Sequence, residues 1–303
     1  MARPLAVAPE IAAADAEPRT RFRELRLLLR RRTAVLGALV VLVNVAVAVA
    51  APVIAGWDPQ HLDVRERLAP PSRVHWMGTD HFGRDVWSRV VYGARLSMIV
   101  GASVVAVSLA GGLVFGLAAG YYRRLDNPMM RVMDGLMAFP GIILAIALMA
   151  SLGPSVSNVV LALGIVYVPR VARIVRGSVL VIRETPYVEA ARALGGLDLS
   201  ILGRHVLPNC LSPVIVQATF IFAAAVLGEA ALSFLGVGVP PQIPSWGNVL
   251  AEGRLYLQQA PWLTLFPGGA IMAGILGLNL FGDGLRDLLD PKLRGVQGAA
   301  RES

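Results

Sequence analysis

The sequence has almost no lysine and almost no cysteine. Of its 28 Lys and Arg residues only Lys292 is a lysine, and it is followed by Leu293. A P-loop needs a Lys directly before Ser or Thr, so the chain has no Walker A site of its own. Cys210 is the single cysteine, which excludes a disulfide scaffold and any multi-cysteine zinc site. Charge is scarce as well: 16% of the 303 residues against roughly 25% in soluble domains. That is too little to coat a water-facing surface. Catalytic constellations are also missing. An intramembrane aspartyl protease needs Tyr-Asp in one span and Gly-x-Gly-Asp in another. The chain has no Tyr-Asp, and Leu280-Phe281-Gly282-Asp283 lacks the first glycine. His61, His75, His81 and His205 all fall outside the apolar runs. They lack the close spacing of metal ligands, and although His75 and His81 share one loop, no metal site is expected.

What is present is apolar and organised in runs. Hydrophobic residues make up 55% and the mean hydropathy is +0.62. A helical span needs about 20 residues. The runs 34–55, 96–121, 135–152, 157–174, 211–235 and 262–281 read as spans. The first contains Ala48-Val49-Ala50, which imitates a leader cleavage site, but 33 residues precede the run and it is too long for a leader's apolar region. The fourth run is the weakest. Its apolar core covers only 159–169, so Arg170 and Arg173 would have to snorkel at its end. The third and fourth runs together can also be read as a re-entrant hairpin. Residues 1–32 form an N-terminal segment whose Ala/Pro-rich start, 1–18, reads as disordered. Residues 33–286 form the membrane domain, with a loop 56–95 on one side and a loop 176–209 on the other, and 287–303 form a tail.

The net charge of +8 fits a nucleic-acid partner or the positive-inside rule, and the placement of the arginines decides. With an inside N-terminus and six spans, 21 of the 28 basic residues fall inside and seven outside. That asymmetry fits an N-in, C-in topology, and the spread over several loops argues against a nucleic-acid patch. Gly112, Gly116 and Gly120 share one helix face and fit close packing against another helix. Pro140 and Pro267, inside apolar runs, are expected to kink their helices.

The loop 176–209 has structure of its own. Pro186-Tyr187-Val188-Glu189-Ala190-Ala191-Arg192-Ala193-Leu194 reads as a short helix stopped by Gly195-Gly196. Asp198 is placed to cap a second one over 199–206. Glu189 and Arg192 are placed to pair with each other or with a partner. From the pattern alone, the loop fits an amphipathic linker on the membrane equally well.

Glu189-Ala190-Ala191, then Gly195, then Val206-Leu207-Pro208 resembles the EAA loop of ABC importer permeases. His205, where many permeases carry Ile, resembles the peptide-importer branch. Gly78-Thr79-Asp80-His81-Phe82-Gly83-Arg84-Asp85-Val86-Trp87-Ser88-Arg89 is similar to a stretch of the C-type permeases of dipeptide, oligopeptide and nickel importers. Asp134 with Phe139-Pro140, Glu229-Ala230-Ala231-Leu232-Ser233-Phe234-Leu235-Gly236, Pro244-Ser245-Trp246-Gly247 and Gly282-Asp283-Gly284-Leu285-Arg286-Asp287 fit the same family. The match runs from about Arg32 to Arg294.

The resemblance implies an all-α integral membrane protein with six spans, the type I importer permease fold and a coupling helix that docks into an ATPase subunit. Glu189, Ala190, Ala191, Arg192, Gly195, His205, Leu207 and Pro208 would carry the coupling. It implies no cofactor on this chain, with ATP and Mg in the ATPase. It also implies a second, B-type permease, an extracytoplasmic solute-binding protein and a place in the bacterial inner membrane. Within the family, nickel or another small solute is the alternative to a peptide. A secondary transporter or channel is a more distant one, since no internal repeat is evident.

Three features remain. Gly78, Thr79, Asp80, Gly83, Arg84, Asp85, Ser88 and Arg89 read as a structural turn in which Asp80, Arg84 and Asp85 neutralise one another. Glu229 and Asp134 are the candidate gate or pathway residues. Glu229 lies about 30 Å along its helix, near the outer interface, where a structural hydrogen-bonding role is expected. Asp283 and Asp287 are read as pairing locally with Arg286 at a helix end.

Overall fold

The structure, a computed structural model, describes residues 31–289. The N-terminal segment expected to be disordered lies outside these residues. So do Lys292, Arg294 and Arg301 of the tail.

Helix α1 (Arg32–Ile54) is the first apolar run. Its one amide, Asn44, donates to the Val40 carbonyl at 2.9 Å, which satisfies the group within the helix itself. Helix α2 (Val86–Tyr121) has 36 residues and so is about 54 Å long, well beyond the roughly 30 Å of a bilayer core. It begins ten residues before the expected span, inside the segment read as loop 56–95. Asp85 starts it by accepting from the Ser88 N–H at 2.7 Å. Trp87 Nε1 and Ser88 Oγ then donate to the carbonyls of Ile54 and Ala55 at 2.9 and 2.5 Å, tying the start of α2 to the end of α1.

Helices α3 (Arg123–Met137) and α4 (Gly141–Leu152) replace the expected continuous span 135–152 and meet at a bend of 89°. The break falls at Pro140, where the ring removes a donor and the preceding residue avoids helical geometry. Helix α5 (Val156–Ile182) is longer than the 157–174 expected for it. Arg170 and Arg173 therefore lie in the body of the helix and not at its end. Hydropathy missed this because carboxylates on α3 serve two of the α5 arginines: Arg173 reaches Asp134 at 2.6 Å, and Arg176 reaches Asp126 at 2.5 and 2.8 Å.

Helices α2 and α5 form the central seam. A Cβ on Gly112, Gly116 or Gly120 would lie 2.3–2.6 Å from the Cβ of Val171, Val175 or Val179. Only glycine permits that separation, so the stripe expected to pack against a helix packs against α5.

Helix α6 (Pro186–Ala193) follows a shorter loop than expected, because α5 runs to Ile182. Helix α7 (Asp198–Ile201) passes through a π-helical turn (Leu202–Val206) into α8 (Leu207–Phe234). The second short helix expected over 199–206 is thus the lead-in to the next span. Asp198 does not cap it. Leu197 holds the N-cap position, and the Asp198 carboxylate instead accepts from Tyr121 Oη at 2.7 Å.

Helix α9 (Trp246–Gly253), which the apolar runs did not mark, is capped by Ser245 and buries Trp246, whose Nε1 donates to the Val90 carbonyl at 2.9 Å. Helix α10 (Trp262–Leu289) continues through Pro267 without a break, whereas at Pro140 the helix is broken. α10 also runs past 286, and Asp287 pairs with Arg31 at the start of α1, not with Arg286.

All regular structure among the described residues is helical. Five helices are long and apolar enough to cross a membrane, and six spans result if the bent α3–α4 pair counts as one.

Candidate functional site

Two polar assemblies stand at opposite ends of α2. The first is built on α6. Pro186 occupies its first turn and Thr185 its N-cap, where proline costs no hydrogen bond. Its end is a Schellman motif: Gly195 has φ +80°, and the Gly195 and Gly196 N–H groups donate to the Arg192 and Ala191 carbonyls, both at 3.0 Å. A Cβ at Gly196 would approach the Ala191 carbonyl oxygen to 2.8 Å. The glycine pair read as a stop signal therefore does the stopping.

Val188 alone of α6 is buried. Glu189, Ala190 and Arg192 are exposed and Ala191 is half-buried. Arg192 lies over the Tyr121 ring, 5.5 Å from its centroid, rather than pairing with Glu189. A hydrogen bond to Tyr121, with the electrostatic pull of Tyr121, Asp198 and Glu189, raises the Arg192 pKa against the opposing effect of burial. Leu207 and Pro208 form the first turn of α8, and the His205 ring faces Tyr187 at 6.3 Å. Hydropathy averaging hid the next feature: Leu194, Leu197 and Leu199 are 88%, 78% and 80% exposed. Three solvent-facing leucines beside one short helix form an apolar rim of the kind that marks an interaction site.

The second assembly contains residues 78–89, folded as a tight antiparallel turn with Asp80 N–H bonded to the Arg84 carbonyl and Val86 N–H to the Gly78 carbonyl, both at 3.0 Å. Gly83 has φ +77°, and a Cβ there would overlap the Asp63 carbonyl at 1.7 Å. Thr79 Oγ1 donates to the Glu66 carbonyl and accepts from the Ala69 N–H at 2.8 Å.

The Asp80 carboxylate, with no exposure, accepts from Arg84 Nε at 2.6 Å and Arg89 at 2.5 Å. It also accepts from the Phe82 and Arg84 N–H groups at 2.8 and 3.0 Å. Burial alone would push this carboxyl up. The two guanidiniums and two N–H groups outweigh burial and hold it below the usual carboxylate range.

The fourth charge is Glu252 of α9, which takes Arg84 at 2.6 Å and Arg89 at 2.5 and 3.0 Å. The turn motif could not reveal it, because Glu252 lies 163 residues beyond Arg89 in the chain. Asp85 departs from expectation. It does not neutralise Arg84 but caps α2 and bonds His75 Nδ1 at 2.9 Å, and the other ring nitrogen of His75 meets Glu66 at 2.6 Å.

Donor atoms of Asp80, His81 and Glu252 lie within 4.8 Å of one another, the spacing of a cation site. The carboxylates are already taken by Arg84 and Arg89, so a metal would have to displace two guanidiniums. Burial lowers the pKa of His81, with Arg84 and Arg89 adding to the effect while Glu252 and Asp80 oppose it.

The remaining candidates stand apart from both assemblies. Glu229 is fully buried and accepts from Ser97 Oγ at 3.2 Å and Ser233 Oγ at 2.9 Å. Ser233 Oγ in turn accepts from the Val239 N–H at 3.2 Å. The carboxylate thereby ties α8 to α2 and to the loop after α8. Asp134 is exposed and holds Arg173.

The fold and these two assemblies define a polytopic helical membrane protein with an exposed helix at one end and a locked polar cap at the other. Residues 112–295 match the model of the binding-protein-dependent transport system inner membrane component family, and residues 22–71 match the N-terminal membrane domain of oligopeptide transport permease C. The chain belongs to this family of transport permeases. A relative from Brucella suis is 53% identical over 273 residues, covering 90% of this chain and 92% of its own length. The dipeptide transport system permease protein of Alkalihalophilus pseudofirmus is 44% identical, covering 91% of this chain and 90% of the relative. The glutathione transport system permease protein of Pectobacterium atrosepticum is 42% identical, covering 92% and 94%.

Proposed function

We propose that this chain is one of two permease subunits of an ATP-driven importer of peptides. In this reading the bent α3–α4 pair makes one crossing, so six spans leave both chain ends in the cytoplasm. The excess of arginine on that side supports the orientation. The substrate class rests on relatives whose names specify dipeptide and glutathione transport. The chain sits in the bacterial inner membrane beside a B-type permease and receives substrate from an extracytoplasmic binding protein. It holds no cofactor; ATP and Mg bind a separate ATPase.

One observation carries the coupling role. Helix α6 is short, closed at its C-terminal end by a Schellman motif, and followed by the exposed Leu194, Leu197 and Leu199. Such a helix can insert into a cleft as a rigid body, burying those leucines and presenting Glu189. ATP-driven closure of the ATPase would then move α6 and shift the bundle between two states.

Co-purification and Glu189→Arg test this. The ATPase is expected to co-purify with the wild type. Glu189→Arg is expected to leave membrane insertion intact while abolishing uptake and the response of ATP hydrolysis to the binding protein. Wild-type transport by Glu189→Arg, with no associated ATPase, would sink the assignment.

A further inference from the structure

Helix α5 carries arginines at 170, 173 and 176, and Arg183 is its C-cap. Three are engaged within the chain: Arg173 by Asp134, Arg176 by Asp126, and Arg183 by the Gly120 carbonyl at 2.7 Å. Arg170 has no carboxylate or carbonyl partner among the described residues. Its guanidinium lies over the Tyr167 ring, 5.8 Å from the centroid. It stands near the middle of the 27-residue α5, about 20 Å from either end. Its side chain is exposed on the surface of this chain.

Arg170 lines a cavity. A space of about 590 Å³ opens between the α3–α4 break, α5 and α8, lined by Phe139, Gly141, Tyr167, Arg170, Leu227 and Gly228 among others. Its volume is within the roughly 300–1,000 Å³ of small-molecule sites. The walls are mainly apolar. A second feature points the same way. The 12-residue α4 has no side-chain cap at its N-terminus, and Pro140, Gly141 and Ile142 of that terminus line the cavity. Open N–H groups at a helix N-terminus attract anions. An exposed guanidinium and a helix N-terminus therefore line one apolar-walled space, at a break in a helix of the kind that lines transport sites.

We propose that Arg170 and the N-terminus of α4 receive the C-terminal carboxylate of the transported peptide. The apolar walls, Phe139 and Leu227 among them, would take its side chains. The planar guanidinium suits a carboxylate in bidentate fashion, and the Tyr167 ring, 5.8 Å away, is within reach of a cation–π contact. The assignment rests on the peptide-import reading and names the atoms through which this subunit would hold its substrate. An anionic lipid headgroup or an acidic side chain of the second permease are the rival occupants, and the test separates them.

The complete transporter, with its partner permease, ATPase and binding protein, is reconstituted in vesicles with and without anionic lipid. Uptake of a dipeptide is compared with that of its C-terminal amide. The binding protein's own preference is common to all variants and cancels in the ratio of acid to amide. Arg170→Gln is expected to raise KM for the acid about tenfold, as loss of a charge-assisted hydrogen bond would, with the amide unaffected. Arg170→Lys is expected to retain part of the preference.

An unchanged acid-to-amide ratio in Arg170→Gln overturns the proposal. Equal loss of both substrates overturns it too and assigns Arg170 to packing or to the second permease. An Arg170→Gln defect seen only in vesicles containing anionic lipid overturns it in favour of a lipid headgroup. If the wild type moves neither peptide under ATP, the import reading itself has failed.

Discussion

Asp80→Asn is the perturbation for which the structure gives the clearest magnitude. The wild-type carboxylate is fully buried and accepts four hydrogen bonds, two of them from guanidiniums at 2.5–2.6 Å. The amide keeps one acceptor oxygen but turns an NH₂ group toward a cation. Arg89, only 1% exposed, then shares Glu252 with Arg84, and two positive charges rest on one carboxylate. Breaking a buried pair from one side costs about 3–5 kcal/mol, whereas removing both partners is often nearly neutral. Asp80→Asn is therefore expected to lose about 3–5 kcal/mol in equilibrium unfolding in mixed micelles. Asp80→Asn combined with Arg89→Met should recover a large part of this, because Arg84 and Glu252 remain paired at 2.6 Å. A single variant within about 1 kcal/mol of wild type, the range of an exposed pair, would refute the reasoning. So would a double variant no more stable than the single one.

The same cluster sets a pH dependence. His81 has a folded pKa below its ordinary 6.5, so its contribution is full above that pH and declines as pH falls below it and the unfolded chain takes up the proton. The Asp80 contribution, from a lowered carboxylate pKa, is complete above 3.8 and constant from pH 8 to 5. Unfolding measured across that window should show a stability loss on the acid side, and His81→Phe, which keeps the stacking on Phe82 and Tyr256, should flatten it. Gly116→Leu should force α2 from α5, since even its Cβ would lie 2.6 Å from Val175 Cβ and 2.7 Å from the Ala172 oxygen. A loss of at least about 1–3 kcal/mol is expected, read as a lowered thermal midpoint. Glu229→Gln keeps the shape and one acceptor for Ser97 and Ser233, so uptake rate and affinity should stay at wild type. A defect in affinity with normal stability would return Glu229 to the transport pathway.

What could be read in the sequence divides along a physical line. The apolar runs located α1, α8 and α10 because each is continuous in hydropathy. The Gly112, Gly116 and Gly120 stripe announced a close helix contact because a missing Cβ has one obvious use in a span. The glycine stop after α6 was legible because the Schellman motif is local. Interactions across the chain were not. The first ten residues of α2 contain Arg89 and Arg95 and looked like loop; the neutralising Glu252 lies on α9, which hydropathy did not mark. α5 looked too short because Arg173 and Arg176 interrupt it, while their partners Asp134 and Asp126 sit on α3. Arg170 was assigned to a helix end on the same ground, and its mid-helix position emerged only once α5 was seen to reach Ile182. Asp198 reads in sequence as a local cap and finds its partner, Tyr121, on α2, while Asp85 reads with its neighbours in the turn and bonds His75, ten residues back in the same loop.

These long-range pairs connect the two polar assemblies. Helix α2 begins in the charge cluster, where Asp85 caps it and Arg89 anchors it. It ends at Tyr121, which bonds Asp198 and lies beneath Arg192 of the α6 region. Along its second half it is locked to α5 by glycines with no space for a methyl group. A close-packed seam of this kind transmits displacement and does not absorb it. The α3–α4 connection is built differently, with an 89° bend, a proline and an uncapped helix start. A push on α6 thus meets a stiff α2–α5 pair and a broken α3–α4 pair. The relative motion is expected at the break, beside the cavity that holds Arg170. Cross-linking α2 to α5 along the glycine seam should then leave transport intact, whereas fixing α4 to α5 across the cavity should arrest it. Arrest by the seam cross-link would show instead that α2 and α5 slide past each other during the cycle.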